Sequence, residues 1–118
     1  MPTPVNGVCL KMELRFLSRK YLGFFSENNL TMADNGSIKQ HIVKEVNYDK
    51  KKIISYLNKG KKESTCPKIV KDILTDKLIS TSFSVFTDGE YVWKSDFIHY
   101  IENYNIKLPE DFITKASA

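Results

Sequence analysis

The residues that could do chemistry in this chain are few and far apart. Two Cys and two His occur, at Cys9, His41, Cys66 and His99. A zinc site takes three or four ligands, commonly in close pairs such as CxxC or HExxH, and no such pair is present. The glycines Gly7, Gly23, Gly36, Gly60 and Gly89 stand singly, so the register of a phosphate-cradling loop is missing. Cys66 comes nearest to an activated nucleophile. Lys61, Lys62 and Lys68 would lower its thiol pKa, and His99 could act as its base. The plainer reading makes Cys66 a core or connector residue and puts His99 on a solvent-facing helix side. The carboxylate pairs have structural explanations as well: Asp88 and Glu90 flank a turn glycine, and Glu110 and Asp111 open a helix. The expectation is a non-enzymatic chain with no metal and no cofactor.

Charge is distributed unevenly. Residues 38–77 carry eleven Lys against five acids, whereas residues 78–118 carry three Lys against six acids. The basic middle could meet nucleic acid and the acidic end a basic protein. At 118 residues, 42% hydrophobic and 27% charged, the chain has material for one packed domain. No apolar run approaches the roughly 18 residues that span a bilayer, so no membrane association is expected. The N-terminus lacks a charged segment followed by an apolar stretch, because Lys11, Glu13, Arg15 and Arg19 interrupt it. A cytoplasmic location with two reduced thiols is therefore expected.

The elements that must position these residues follow from periodicity. Val8, Leu10, Met12, Leu14 and Phe16 alternate with polar residues and read as a half-buried strand. Residues 21–25 are aromatic without a clear period, and Asn35-Gly36 signals a turn. Met32 would itself make a sensible start. Residues 1–45 are therefore read as a strand-and-loop extension, partly disordered, and residues 46–115 as a compact domain.

In that domain Asn47 or Asp49 caps a helix with Ile53, Ile54 and Leu57 on its apolar face, stopped at Lys59-Gly60. Residues 61–67 read as a polar connector, and Leu78–Phe86 as the strongest strand. Asp88-Gly89 then makes a tight hairpin in which Phe86 faces Tyr91 and Val85 faces Val92, with both faces apolar. Ser95 caps a helix over Phe97–Tyr104. Pro109 starts a short last helix docked by Phe112 and Ile113, with a frayed tail from Lys115. The fold class is α+β: a small antiparallel sheet with a tight Asp-Gly hairpin and two to three packed helices.

Five segments carry a resemblance: Ile54-Ser-Tyr-Leu-Asn-Lys-Gly60, Cys66, Thr87-Asp-Gly-Glu-Tyr-Val-Trp93, Asp96-Phe-Ile-His-Tyr-Ile-Glu-Asn-Tyr104, and Leu108-Pro-Glu-Asp-Phe112. This resembles a group of small uncharacterised bacterial proteins with a YLxxG, TDGxYxW, YxxxY and LPxxF pattern, over roughly residues 46–113. Those proteins usually carry Pro after the final aromatic, where this chain has Lys94. The resemblance implies a bacterial, cytoplasmic hairpin-plus-helix module and brings no catalytic residues with it. In size and character the chain is similar to immunity proteins of bacterial toxin systems.

These observations lead to a protein-binding module, toxin-neutralising in kind. Its candidate contacts to a basic toxin are Asp88, Glu90, Tyr91, Trp93, Asp96, Tyr100 and Glu102, with Glu110 and Asp111 extending the acidic face. Tyr100 lies off the apolar helical face and is expected to be exposed. The alternative is a nucleic-acid-binding regulator using the lysine-rich segment 50–71, with Lys50, Lys51, Lys52, Lys59, Lys61 and Lys62 as contacts.

Overall fold

Asp49 starts the first helix as expected. Its carboxylate accepts the Lys51 amide at 2.9 Å and opens α1 (Lys50–Asn58), with Ile53 and Leu57 buried one turn apart. The computed structural model describes residues 20–25 and 35–118, so the strand expected over residues 8–16 lies outside the described residues. The architecture is α+β, as the pattern predicts. A four-stranded sheet runs in the order β1 (Lys20–Leu22), β6 (Tyr91–Lys94), β5 (Phe83–Thr87), β2 (Lys61–Cys66). A separate ribbon pairs β3 (Val70–Lys71) with β4 (Leu78–Ser80). Two further helices follow, α2 (Phe97–Asn103) and α3 (Glu110–Ser117).

Both faces of the β5–β6 hairpin are covered. Tyr91 and Trp93 point to the side held by α1, α2 and α3, in a core with Ile53, Leu57, Phe97, Ile101 and Phe112. Phe83, Val85 and Val92 point to the other, against Phe24, Cys66 and Val70. The hairpin register differs from the expected one. Phe86 pairs with Trp93 and Thr87 with Val92, so the loop is two residues longer than a bare Asp-Gly turn. A shift of two preserves side-chain parity, and each residue keeps its expected face.

Several boundaries also move. The polar stretch Lys61–Cys66 is a strand, paired antiparallel with β5 and bulged between Lys62 and Ser64. Its backbone completes the sheet while its lysines face water, and polar residues on an edge strand give no period-two signal. The run from Leu78 to Phe86 breaks after Ser80 into β4 and β5, which belong to different sheets. Lys20–Leu22, aromatic without a period, adds to β6 in parallel. Leu22, Phe24, Phe25 and Ile38 are all buried, so the described part of the N-terminal stretch packs with the 46–115 unit. The last helix continues through Lys115 to Ser117 instead of fraying. Cys66 is disulfide-bonded, which corrects the expectation of a reduced thiol there and removes it as a nucleophile. No helix among the described residues is long and apolar enough to cross a membrane.

Trp93 sets the tightest packing constraint. It is 0% exposed, and a Cβ added at Gly60 would collide with its indole ring. Phe112 meets Trp93, Tyr91 and Tyr56 edge-on, with ring centroids 6.4, 5.0 and 5.7 Å away. Gly60→Ala should therefore cost about 1–3 kcal/mol in urea unfolding, the usual penalty for overpacking a well-filled core. An unchanged midpoint would show that the indole has room to yield.

Candidate functional site

The Thr87-Asp88-Gly89-Glu90-Tyr91 segment is organised by its own side chains. Thr87 Oγ1 donates to the Tyr91 carbonyl at 2.7 Å and accepts the Gly89 amide at 3.0 Å. Asp88 Oδ1 accepts the amides of Glu90 at 2.9 Å and Tyr91 at 2.8 Å. These bonds lengthen the loop beyond two residues, and Gly89 takes the positive φ of 103° that it requires. The other oxygen of Asp88 accepts the Tyr56 hydroxyl at 2.5 Å and pairs with Lys115 at 3.1 Å. Burial alone would raise the Asp88 pKa. The bonds from Tyr56, the two amides and Lys115 outweigh it and bring the group down to about 2. Burial, with the Asp88 bond added, pushes Tyr56 up to about 12. Glu90 is held between Lys115 at 3.0 Å and Lys20 at 3.2 Å.

A second polar centre lies under the β3–β4 ribbon. The buried carboxylate of Asp72 accepts the amides of Leu74 at 2.8 Å and Thr75 at 3.1 Å. It also accepts the Tyr104 hydroxyl at 2.9 Å and bonds His99 Nε2 at 2.6 Å. Burial would raise its pKa, but these donors prevail and hold it below the usual carboxylate value. One helical turn before Tyr104, the Tyr100 hydroxyl donates to the Lys71 carbonyl at 3.3 Å and accepts the Ile73 amide at 3.0 Å. Tyr100 on α2 and Tyr104 at its C-terminal cap thus fasten the ribbon's connecting loop to the helix. That loop holds Asp76 at a φ of 62°.

His99 is held in a single role here. The Asn103 amide nitrogen donates to the His99 carbonyl at 2.8 Å and sits 3.4 Å from His99 Nδ1. The ionised Asp72 carboxylate can only accept, so His99 Nε2 carries the proton of their shared bond. The His99–Asp72 pair joins the loop to the helix. It does not serve as a base for Cys66.

The residues expected to form a protein contact do not share a surface. Tyr91, Trp93 and Asp96 are buried, and so is Tyr100 at 1% exposure, which corrects its expected outward position. Its hydroxyl reaches the ribbon, so the helix side bearing it faces protein, not solvent. Asp96 pairs with the equally buried Lys94 at 3.5 Å, and the Lys94 ammonium lies against the rings of Phe24 and Phe83. Burial lowers the Lys94 pKa against the opposing pull of Asp96. Asp88 and Glu90 are engaged as described, while Glu102 is exposed. Lys50 lies in the first turn of α1 and is partly exposed. Lys51, Lys52, Lys59, Lys61 and Lys62 are exposed, along α1 and the start of β2.

Sequence reasoning missed the ribbon as a surface and Asp72 as its anchor. Of the four large hydrophobic side chains exposed among the described residues, three lie on or beside the ribbon: Ile69 at 63%, Leu78 at 62% and Leu74 at 38%. The Tyr100–Tyr104 spacing was the available signal for the anchor. An isolated Asp gives none. Comparisons with protein-family models, curated proteins and solved structures return no match.

The depressed pKa of Asp88 fixes a pH dependence. Its contribution is complete above the unfolded carboxylate value and is lost as pH falls through the folded value of about 2. Asp88→Asn keeps an acceptor for the two amides but removes the charge. Between about pH 4.5 and about pH 2, acid unfolding should narrow the stability gap between wild type and D88N by roughly 2 kcal/mol. A constant gap would mean that Asp88 is not ionised in these contacts.

Proposed function

We propose that this chain is a non-enzymatic protein-binding module that uses the outer face of the β3–β4 ribbon. The observation that carries the reading is the exposure of Ile69, Leu74 and Leu78 within one short stretch. Scattered exposed apolar side chains need no explanation, but a cluster of them on one element marks an interaction surface. The attachment of the ribbon to α2 supports the same reading, because a surface held in place before binding loses less entropy when a partner arrives. Neutralisation of a toxin, suggested by the size and character of the chain, is one form such binding takes. The acidic residues contribute little to this reading, since Asp88, Glu90 and Asp96 are already paired inside the protein. A cytoplasmic location, expected from the sequence, sits poorly with a disulfide at Cys66, because cytosolic thiols are kept reduced.

A second reading, nucleic-acid binding, is favoured by a different observation. None of Lys50, Lys51, Lys52, Lys59, Lys61 and Lys62 has an ion pair among the described residues. Their ammonium groups are thus available to phosphates, and such binding would fall steeply with salt.

The double substitution Ile69→Ser with Leu78→Ser separates the two. Both side chains are exposed, so thermal unfolding should stay close to wild type. Affinity for a captured protein partner should fall about ten-fold or more in titration calorimetry, with nuclease treatment having no effect. Full affinity in the variant would remove the ribbon as the contact, and capture lost on nuclease treatment would favour the lysines.

A further inference from the structure

We infer that the ribbon's partner is an acidic protein surface, one that inserts an apolar side chain between carboxylates. This rests on the ribbon reading above and adds the partner's chemistry to it. Lys71 is the cross-strand neighbour of Leu78, so a cationic residue is paired across the ribbon with the most exposed apolar residue of β4. Lys68 precedes Ile69 at one end of the ribbon and Lys77 precedes Leu78 at the other, and all three lysines are exposed. None has an ion pair among the described residues. Asp72 and Asp76 are the acids of the same stretch. Asp72 is buried and its oxygens are occupied by four donors, so Asp76 alone opposes three cations at the surface.

An apolar centre with a cationic rim repels basic surfaces and draws in acidic ones, speeding encounter and setting orientation. The same composition argues against nucleic acid at this face. Single strands are gripped by aromatic side chains on which bases stack, and residues 68–78 contain none. Ile69 and Leu78 suit a hydrophobic knob.

The test is selection from a display library of random peptides on the immobilised full-length protein, counter-selected against I69S/L78S. The expected winners carry an aliphatic or aromatic residue flanked by Asp or Glu, with net negative charge. Their affinity should fall about ten-fold or more against Lys68→Glu/Lys71→Glu/Lys77→Glu and by less against the matching triple Ala variant, and should weaken as salt rises. Thermal unfolding of both variants checks that the fold is intact. Neutral or basic winners that still require Ile69 and Leu78 would overturn the acidic partner while leaving the ribbon as the contact. Winners that bind I69S/L78S equally well, or no winners, would overturn the ribbon reading together with this one.

Discussion

Trp93 sits on the second strand of the four-stranded sheet with no exposed surface, and the rest of the fold is arranged around its indole. The chain leaving α1 can pass it only as glycine, which fixes Gly60. Phe112 meets it edge-on and thereby positions α3. Among the described residues the indole N–H has no hydrogen-bond partner. An unmade buried bond costs about 1–3 kcal/mol. Burying an aromatic of this size gains roughly 4–6 kcal/mol at about 25 cal/mol/Å². Packing wins, and the unsatisfied donor is tolerated.

This explains the YLxxG, TDGxYxW, YxxxY and LPxxF pattern in physical terms. Tyr56, Gly60, Tyr91, Trp93 and Phe112 meet in one aromatic core. Thr87 and Asp88 build the turn that sets the spacing of Tyr91 and Trp93. Leu108 is buried, and Pro109 precedes α3. Tyr100 and Tyr104 hold the ribbon. In this chain the pattern is a set of folding instructions, and the exposed apolar side chains Ile69, Leu74 and Leu78 lie outside it.

That division decides what could be read from the sequence. The α+β class, α1 with its Asp49 cap, the hairpin faces and the presence of the helices after it follow from periodicity and local capping. Ser95, expected to cap α2, instead accepts the Ser84 amide, and the cap position falls to Asp96, which makes no side-chain cap bond. The β2 strand was not readable, because Lys61–Cys66 is held by backbone pairing with β5 and exposes its polar side chains. Tyr100 was misplaced because helical periodicity marks the side facing the main core, while its hydroxyl is held by the ribbon, an element distant in sequence. The exposure of Ile69 and Leu78 was likewise hidden, since apolar residues in a short run look the same whether buried or not. Lys94 is accommodated by Asp96 and two aromatic rings, all brought together by the tertiary fold.

The ribbon's attachment to α2 through Asp72 is the central claim, and amide hydrogen exchange in Asp72→Ala tests it most directly. The informative probe is the Ile73 amide, which bonds the Tyr100 hydroxyl and makes no contact with the carboxylate being removed. If Asp72 fastens the ribbon, Ile73 exchanges faster in the variant together with Leu74 and Thr75, while the amides of β5 and β6 keep their protection. Unchanged exchange at Ile73 would contradict the account, because the ribbon would then be held without its carboxylate.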